Sequence, residues 1–380
     1  MKRITIAIDS FKGSLSSCEV ADAFALGWSS VMPECEVRKV SIADGGEGTV
    51  DALVETLCGE YIDVAVSDPL GRAITARYGV VDNGKTAVME MSAASGLPLL
   101  APEERNPLKT STFGTGEMIA DALRRGCRKF LIGIGGSATN DGGLGMMRAL
   151  GFKLLDREGC ELFGDGASLE QLSEIDASGV MKELSDAEFI VACDVNNPLY
   201  GERGAAYVYA PQKGADAAMV KRLDAGLRNY ARVVESFSGE KVADMPGAGA
   251  AGGLGAGFKA MLGARLERGI DMVLGAMRFD QIIEGSDLVV TGEGRLDRQT
   301  VMGKAPSGVL QAASSQGIPT VAIGGAVAWC EELAESGFAA LLPIVAGPTS
   351  LEVAMQRDVA TENVRRTAVQ IAKMLSIKTK

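Results

Sequence analysis

The segment Phe130–Gly145 constrains the fold of this chain more than any other stretch of its sequence. It begins with an apolar run that predicts a buried strand, and it continues into a loop of glycines, hydroxyl side chains, one amide and one carboxylate. Glycine has no Cβ atom, so the main-chain N–H groups of such a loop can approach a ligand closely. The following segment, Leu144–Leu150, is predicted to be a helix whose N-terminus adds partial positive charge. The pattern therefore favours an oxyanion site, most often one for phosphate, over a tight turn that needs glycine only for steric reasons.

Strands that end in polar or glycine-rich loops recur along the chain. Four further apolar runs have this form, and the loops after them begin at Asp9, Ala43, Thr291 and Gly324. Helical patterns lie between the strands, which indicates a parallel sheet covered on both faces. The predicted fold is therefore α/β: a doubly wound, mostly parallel, Rossmann-like or flavodoxin-like domain with a mixed α/β domain inserted in it.

The pattern changes where the inserted domain is expected to begin. Short strands surround Asp68–Arg72 and Asp82–Gly84, which predicts hairpins. The predicted limits are residues 1–65 with 285–380 for the first domain and residues 66–284 for the inserted one. A last amphipathic helix is predicted over roughly residues 350–376. Ligands of open α/β sheets bind outside the carboxyl ends of the strands, so we expect the active site in the cleft between the two domains.

Composition excludes several classes of function. The chain has 380 residues and a net charge of −11, so it is long enough for two domains and shows no basic face for nucleic acid. It contains no histidine, which excludes histidine-based triads and HExxH metal sites. Its seven cysteines are scattered without a CxxC pair and predict buried free thiols in a reducing compartment. No apolar run is long enough for a transmembrane helix, and a cytoplasmic protein is expected.

Two glycine patterns resemble a dinucleotide-binding fingerprint. Gly133–Ala138 has the right spacing after a strand, and Asp156 follows at the usual distance. The helix of that fingerprint should begin inside the pattern, whereas Thr139–Gly143 intervenes and places Asp141 where a pyrophosphate would lie. Gly247–Gly252 fits more strictly but follows Asp-Met-Pro instead of a strand, so a close helix approach or a substrate loop is the better interpretation. A nicotinamide-dependent 2-hydroxy-acid dehydrogenase and a non-catalytic two-domain sensor of a small acid remain alternatives.

The polar loops together carry every group that phosphoryl transfer needs. That reaction requires a cradle for phosphates, a divalent cation, cationic side chains and a base aimed at the acceptor hydroxyl. The predicted cradle consists of Gly135, Gly136, Ser137, Thr139 and Asn140. The acidic loop residues that offer the oxygen ligands Mg²⁺ prefers are Asp44, Glu47, Asp141, Asp194 and Glu293. The cations that could neutralise a phosphate or an acidic substrate are Lys12, Lys213, Arg295 and Lys304.

Several of these side chains also have a purely structural interpretation. Asp9 and Asp194 could cap the segments that follow them instead of acting as a base. Lys213 lies in a Pro-Gln-Lys-Gly segment, for which an exposed turn is the favoured interpretation. Arg295 could pair with Asp297, although both follow a buried strand toward the expected cleft.

The chain resembles the bacterial glycerate kinases that begin with a strand and the sequence Asp-Ser-Phe-Lys-Gly-Ser, here residues 9–14. The similarity continues in order over nearly the whole chain. Its further motifs are Asp44–Thr49, Asn106–Leu108, Gly114–Glu117, Ile132–Gly143, Ala192–Pro198, Gly247–Gly257, Thr291–Arg295 and Gly303–Lys304. Two small departures, at Ile8 and Ala210, remove no chemical group. The resemblance implies ATP-dependent phosphorylation of D-glycerate at its 2-hydroxyl, with Mg²⁺, by a two-domain α/β protein.

Within that reaction we assign roles as hypotheses. The residues expected to bind ATP are Gly135, Gly136, Ser137, Thr139, Asn140 and Lys304. The expected Mg²⁺ ligands are Asp194, Glu293 and Asp141, and the expected catalytic residues are Asp194, Asp9, Lys12 and Arg295. Of the latter, Arg295 or Lys12 would fix the glycerate carboxylate, and Asp194 or Asp9 would accept the hydroxyl proton. The expected partners are the small molecules glycerate and ATP, with no nucleic acid and no membrane.

Overall fold

The computed structural model describes residues 1–377 and divides them into two compact units. Unit 1 comprises Met1–Asp44, Asp51–Thr56 and the described residues from Val273 onward, and unit 2 comprises Gly45–Val50 and Leu57–Met272. This division follows compactness alone, so the domain limits near residues 65 and 285 stay a prediction. Within residues 1–377, no helix combines the length and the apolar character that a membrane span requires.

The secondary structure alternates between strands and helices through most of the chain. The strands are β1 (Arg3–Ile8), β2 (Glu36–Ser41), β3 (Glu60–Ser67), β4 (Ala73–Val81), β5 (Thr86–Glu90), β6 (Lys129–Gly133), β7 (Lys153–Leu155), β8 (Glu174–Asp176), β9 (Glu188–Ala192), β10 (Arg265–Glu267), β11 (Leu288–Leu296), β12 (Thr320–Val327) and β13 (Ala340–Pro343). The α-helices are α1 (Ser17–Ser29), α2 (Thr49–Thr56), α3 (Ser92–Ser95), α4 (Phe113–Arg124), α5 (Leu144–Ala149), α6 (Ser168–Gln171), α7 (Ala205–Tyr209), α8 (Ala217–Ser238), α9 (Ala250–Leu262), α10 (Gly269–Ala276), α11 (Phe279–Ile283), α12 (Ala305–Ser315), α13 (Glu331–Ala334), α14 (Leu351–Ala354) and α15 (Arg357–Leu375).

Unit 1 is built on a five-stranded parallel sheet with the strand order β13-β12-β11-β1-β2. From β1 the chain passes through α1 to β2 at one edge, whereas β11, β12 and β13 follow one another toward the other edge. The strand order therefore reverses between β1 and β11. In open α/β sheets, ligands bind at such a switch point, outside the carboxyl ends of the strands. The predicted doubly wound α/β fold is confirmed, and its topology indicates where a ligand site should lie.

An apolar core packs α1 and α15 against this sheet. Ile6 of β1, Phe24 and Trp28 of α1 and Val364 of α15 are fully buried in one cluster. Burial of each such side chain contributes about 1.5–3 kcal/mol to folding. Helix α1 begins at a capping box, in which the side chains of Ser16 and Glu19 each accept a hydrogen bond from the main-chain N–H of the other.

Unit 2 is built on a mixed six-stranded sheet with the strand order β10-β9-β6-β5-β4-β3. Strands β5, β6, β9 and β10 pair in parallel, whereas β3, β4 and β5 form antiparallel hairpins. The two predicted hairpin turns are confirmed. In the second of them, Asp82 and Asn83 have φ angles of +53° and +52°, a left-handed conformation that Asn and Asp tolerate better than most residues.

The loops expected to begin at Thr291 and Gly324 are strand instead, because β11 continues to Leu296 and β12 continues to Val327.

Two further local expectations are wrong. The last helix is interrupted, because Gln356 has an extended ψ angle of 131° between α14 and α15. The side chain of Ser350 instead accepts a hydrogen bond from the N–H of Val353 and begins α14 as a separate short helix. The cysteines are free thiols, but Cys18, Cys58 and Cys160 are exposed rather than buried.

Candidate active site

A cavity of about 480 Å³ opens at the carboxyl edge of the unit 1 sheet. Its lining comes from the residues that follow β1 and from the carboxyl ends of β11, β12 and β13. The charged residues of the lining are Asp9, Lys12, Glu293, Arg295, Asp297 and Lys304. The cavity therefore brings together five of the residues that the sequence proposed for the site, at the switch point of the sheet.

Asp9 is the most buried acid of this cavity, with 4% of its surface exposed. One of its carboxylate oxygens accepts a hydrogen bond from the main-chain N–H of Ser10 at 2.6 Å. Burial, and then the negative charges of Asp44 and Glu293, raise the pKa of Asp9 from 3.8 to about 7. A carboxyl group with this pKa exchanges its proton readily near neutral pH, which is the property that a general base needs.

Glu293 lies on β11 and uses its two carboxylate oxygens differently. Oε1 accepts a hydrogen bond from the hydroxyl of Thr300 at 2.7 Å, and Oε2 lies 3.4 Å from Nζ of Lys304. Burial raises the pKa of Glu293, whereas the contacts with Thr300 and Lys304 lower it. The site thus contains a positioned acid beside a lysine.

Lys12 and Arg295 are the exposed cations of the cavity, with 60% and 69% of their side chains exposed. Nζ of Lys12 lies 3.7 Å from a carboxylate oxygen of Asp44, and Nε of Arg295 lies 3.4 Å from one of Asp297. The second pair is the structural alternative considered from the sequence, yet both of its members line the cavity. Exposed ion pairs contribute only about 0–1 kcal/mol. These cations can therefore exchange their partners for a phosphate or carboxylate group at little cost.

The glycine loop after β6 has an exposed part and a buried part. Gly135 and Gly136 are exposed, whereas Ser137, Thr139 and Asn140 are buried. A Cβ atom added at Gly135 would meet nothing within 4 Å, so the space beside its main chain is open. The predicted cradle therefore presents its main chain to solvent at the two glycines.

Asp141 stabilises this loop from inside. It is fully buried, and its carboxylate accepts hydrogen bonds from the N–H and the hydroxyl of Thr112 at 2.7 and 2.8 Å. It also accepts hydrogen bonds from the N–H groups of Gly143 and Gly145, at the start of α5, at 3.0 and 3.3 Å. The expectation that this helix end attracts a phosphate is therefore wrong, because the protein's own carboxylate satisfies its donors. Burial raises the pKa of Asp141, and these hydrogen bonds lower it.

Lys213 is 2% exposed, so the expectation of a lysine on an exposed turn is wrong. Its Nζ donates hydrogen bonds to the hydroxyl of Ser137 and to the main-chain oxygen of Thr139, both at 2.6 Å. Burial lowers the pKa of Lys213 from 10.5 to about 7, and the charge of Asp141 opposes that effect. Lys213 therefore joins two residues of the buried part of the loop and fixes their spacing.

Two other side chains of the loop have no protein partner within the described part of the chain. Both amide atoms of Asn140 and the hydroxyl of Thr139 are buried without a hydrogen bond. A buried polar group without a partner costs about 1–3 kcal/mol. These atoms are thus the donors and acceptors that the loop retains for water or for a bound group.

The second glycine pattern, Gly247–Gly252, packs against this loop. The N–H of Gly142 donates a hydrogen bond to the main-chain oxygen of Gly252 at 3.0 Å. At Gly252 the φ angle is +72°, and a Cβ atom would lie 2.1 Å from the main-chain oxygen of Thr139. The interpretation of this pattern as a close helix approach is confirmed, because only glycine leaves room for the two segments to meet.

We expect Gly252→Ala to lower the free energy of unfolding by about 2–5 kcal/mol. A left-handed backbone costs alanine about 1–2 kcal/mol, and overpacking adds about 1–3 kcal/mol. Gly239→Ala is the matched control, because Gly239 has a φ angle of +77° but no atom within 4 Å of an added Cβ. Urea unfolding measures both variants, and equal losses of stability would contradict the packing of the two glycine segments.

Asp194 follows β9 in unit 2. Its Oδ1 accepts a hydrogen bond from the main-chain N–H of Gly269, the first residue of α10, at 2.9 Å. Gly269 lies 75 residues along the chain, so this contact is not the cap on the directly following segment that the sequence analysis weighed against catalysis. The catalytic and metal-binding roles of Asp194 stay predictions, as does the metal-binding role of Asp141.

Sequence reasoning missed two contributors to the unit 1 cavity. Thr300 orients Glu293, and its only signal in the sequence is its place in the polar segment after β11. The other is an apolar wall that includes Leu351 and Met355, whose helix was predicted as the start of one long helix. Neither feature could be assigned to the site before the strand order was known.

A doubly wound α/β sheet with acids and cations at its switch point is typical of proteins that bind a small polar ligand there. Comparisons with known proteins identify the family. The sequence matches the glycerate kinase family over residues 4–376. It is 48% identical over 376 residues to a glycerate kinase of Bacillus subtilis, and the aligned region covers 99% of this chain and 98% of the relative. It is 44% identical over 376 residues to a glycerate 2-kinase of Escherichia coli, with the same coverage.

A solved structure is similar over the same extent. The crystal structure of a protein described as glycerate kinase 2, from Salmonella typhimurium, has a TM-score of 0.90 and 45% identity and covers 98% of both chains. The chain therefore belongs to the glycerate kinase family, and the resemblance seen in its motifs is confirmed.

Proposed function

We propose that this protein transfers the γ-phosphoryl group of ATP to the 2-hydroxyl of D-glycerate and releases 2-phosphoglycerate and ADP. The observation that carries the proposal is a cavity of unit 1 whose lining includes Asp9, Lys12, Glu293, Arg295 and Lys304. The names of the relatives from Bacillus subtilis and Escherichia coli support the acceptor, and the second supports the 2-hydroxyl. We place the reaction in the cytoplasm, where ATP is available.

Asp9 is the proposed general base. As the hydroxyl oxygen of glycerate bonds to the γ-phosphorus, its proton passes to a carboxylate oxygen of Asp9, and the bond from phosphorus to the ADP oxygen breaks. The pKa of about 7 allows Asp9 to accept this proton near neutral pH. Asp194 is the alternative base, although its contact with Gly269 favours a structural role.

Lys12, Arg295 and Lys304 are the proposed electrostatic groups. Phosphoryl transfer depends mostly on positioning and on neutralising charge at the phosphate oxygens. Lys12 and Arg295 each form only a weak, exposed ion pair with a neighbouring aspartate. Both can therefore bind either a phosphate or the glycerate carboxylate. Lys304 is held beside Glu293 and is proposed to contact the nucleotide phosphates.

Glu293 is the residue of this cavity proposed to hold Mg²⁺. Among residues 1–377, no three acidic or thiol side chains are grouped as a metal cage would require. A single carboxylate such as that of Glu293 suits Mg²⁺, which proteins commonly bind through one or two carboxylates together with water and substrate phosphates. When bound, Mg²⁺ would help to neutralise the negative charge of the nucleotide phosphates.

The loop Gly135–Asn140 of unit 2 is proposed to bind a phosphate group. Support comes from the exposed main chain of Gly135 and Gly136 and from the unpartnered amide of Asn140. Lys213 is proposed to act through this loop by fixing Ser137 and Thr139.

The proposed function is tested by a product assay with D-glycerate, ATP and Mg²⁺. Phosphorus NMR separates the 2- and 3-phosphate isomers, and we expect the 2-isomer. Exclusive formation of the 3-isomer would contradict the regiochemistry, and ATP hydrolysis without any phosphorylated acid would contradict the activity.

The pH dependence of kcat/KM reports the pKa of the general base. We expect activity to rise with pH around a midpoint near 7, because the raised pKa of Asp9 keeps it protonated below that pH. Asp44→Asn removes one of the negative charges that raise this pKa, so its midpoint should move to lower pH. Asp51→Asn, an exposed acid of α2, is the control and should leave the midpoint unchanged. An upward shift in Asp44→Asn would contradict the role of Asp9.

A further inference from the structure

The segment Gly45–Val50 crosses the carboxyl edge of the unit 2 sheet. At Gly133, the last residue of β6, an added Cβ atom would lie 2.5 Å from the main-chain oxygen of Gly45. At Gly45, an added Cβ atom would lie 2.4 Å from Cα of Gly269 and 2.8 Å from Cβ of Ala192, the last residue of β9. The segment therefore packs closely on the ends of two neighbouring parallel strands, where ligands of such sheets bind.

A tight turn in this segment presents an acid to solvent. The N–H and the hydroxyl of Thr49 both donate hydrogen bonds to the main-chain oxygen of Gly46, at 3.3 and 2.7 Å. Gly48 has a φ angle of +89°, which the third position of a type II turn requires. Glu47 therefore lies at the tip of a hydrogen-bonded turn, and it is exposed.

Glu90, the last residue of β5, holds the end of the segment that leads into α2. Its Oε1 accepts a hydrogen bond from the main-chain N–H of Val50 at 3.1 Å. Val50 is the second residue of α2, and the first N–H groups of a helix have no acceptor within the helix. The carboxylate satisfies one of these donors and interacts favourably with the positive end of the helix dipole. The turn is therefore anchored on both sides of Glu47.

The chemistry of Glu47 defines the kind of group that it can contact. An ionised carboxylate only accepts hydrogen bonds, and it repels a phosphate oxygen of like charge. Its partner in a bound ligand is therefore an O–H group. A hydroxyl of the acceptor acid supplies one, and so does a water molecule on Mg²⁺, which retains several of its waters in proteins.

We propose that Glu47 contacts an O–H group of a bound ligand and that Glu90 is the positioning residue for the turn that carries Glu47. This inference rests on the proposed function for the reaction in which that ligand takes part. It adds two residues that have no role in the proposed function, and both belong to unit 2. Glu90 acts through the main chain of the segment, at Val50, and not on the ligand.

Three variants and one combination of them test this assignment. Glu90→Ala removes the acceptor of the Val50 N–H, whereas Glu90→Gln keeps an oxygen that can accept it. We expect kcat/KM for D-glycerate to fall at least about tenfold in Glu90→Ala and in Glu47→Ala, and to stay within about threefold of normal in Glu90→Gln. The double variant of Glu90→Ala and Glu47→Ala should lose at most about threefold more than the larger single loss, because both residues serve one contact.

Glu235→Ala is the matched control. Oε1 of Glu235 accepts hydrogen bonds from the main-chain N–H groups of Val242 and Ala243 at 2.9 and 3.1 Å. This variant therefore also deprives the main chain of unit 2 of a carboxylate acceptor, and it should keep normal kinetics. A loss in Glu235→Ala as large as that in Glu90→Ala would assign both effects to a general loosening of unit 2 and would overturn the inference.

Two titrations with Glu47→Ala distinguish the sources of the O–H group. A higher Mg²⁺ concentration at half-maximal rate, with KM for D-glycerate unchanged, would identify a water molecule on Mg²⁺. A raised KM for D-glycerate at saturating Mg²⁺ would identify a hydroxyl of the acid. Normal kinetics of Glu47→Ala in both titrations would overturn the inference.

Hydrogen exchange gives a readout that does not depend on turnover. The Val50 amide should exchange faster in Glu90→Ala than in Glu90→Gln. Mg²⁺, ADP and D-glycerate together should protect the amides of residues 46–49 in the unmodified protein and in Glu90→Gln, but not in Glu90→Ala.

The outcomes separate this inference from the proposed function. Losses that multiply in the double variant, or normal kinetics in Glu90→Ala of an active protein, would overturn the inference and leave the activity standing. Protection of the turn that depends on Glu90, in a protein that transfers no phosphoryl group, would contradict the proposed function and leave the ligand contact of the turn standing. Absence of that protection in the unmodified protein would overturn the inference whether or not the protein is active.

Discussion

Asp9→Asn is expected to lower kcat by about 10²–10⁴-fold, which is the usual contribution of a positioned general base. Asparagine keeps the shape of the side chain and can still accept the hydrogen bond from Ser10, but it cannot take up a proton near neutral pH. Nucleotide affinity should change little, because the variant removes no cation from the cavity. Rapid-quench measurement of a single turnover separates the chemical step from product release.

A folding defect should not explain the loss of activity in Asp9→Asn. The pKa of Asp9 is raised in the folded protein, so its protonated form stabilises the fold below pH 3.8 and this contribution is lost as the pH rises through about 7. At pH 8 the buried carboxylate is therefore a cost that Asp9→Asn removes, and the melting temperature should be equal or higher.

Asp194→Asn is the comparison variant, since asparagine can still accept the hydrogen bond from Gly269. We expect it to lose less than about tenfold in kcat. A loss of two orders of magnitude in Asp194→Asn, together with a near-normal rate in Asp9→Asn, would assign the base to Asp194 instead.

Lys213→Met is expected to lower turnover by about 10²-fold while leaving the protein folded. Methionine retains most of the volume of the lysine stem but removes both hydrogen bonds from Nζ to Ser137 and Thr139. The loop then loses its fixed spacing, and misplacement of about 1 Å at a phosphate-binding group can cost about 10²-fold in rate. Each acceptor left without the lysine donor costs about 1–3 kcal/mol, and loss of the costly buried amine offsets part of this, so we expect the variant to fold with reduced stability.

The pH dependence of stability distinguishes Lys213 from other lysines. Its pKa is lowered from 10.5 to about 7 in the folded protein, so between these values the unfolded chain binds more protons. Stability should therefore rise with pH across that window in the unmodified protein, and this slope should diminish in Lys213→Met. Lys221→Met, at an exposed position of α8, is the control. Full activity in Lys213→Met, together with an unchanged dependence of stability on pH, would contradict the positioning role of Lys213.

Much of the unit 1 site could be predicted from the sequence because it depends on local patterns. Apolar runs of strand length followed at once by polar residues placed Asp9 directly after β1 and Glu293 toward the carboxyl end of β11, although β11 itself continues to Leu296. In a parallel sheet, these ends meet at one edge whatever the strand order. Strand order still decides which ends are neighbours, and that order depends on packing over the whole chain.

Two of the expectations that failed, those for Lys213 and Asp141, depend on contacts between distant segments. The residues next to Lys213 in the sequence predict a solvated turn. The Ser137 and Thr139 oxygens that accept its hydrogen bonds lie more than seventy residues away in the sequence. The residues next to Asp141 in the sequence predict a ligand-binding loop. In the structure, Thr112, on the segment before α4, donates two of the hydrogen bonds that the Asp141 carboxylate accepts. Residue type predicted that these groups matter, and the fold determined what each of them contacts.

A crystal structure with Mg²⁺, ADP and D-glycerate tests the central claim most directly. We predict electron density for the nucleotide in the unit 1 cavity, with its phosphates beside Lys12, Arg295 or Lys304 and a hydroxyl of glycerate within hydrogen-bonding distance of Asp9. Density for both ligands at full occupancy elsewhere, with this cavity unchanged, would contradict the account.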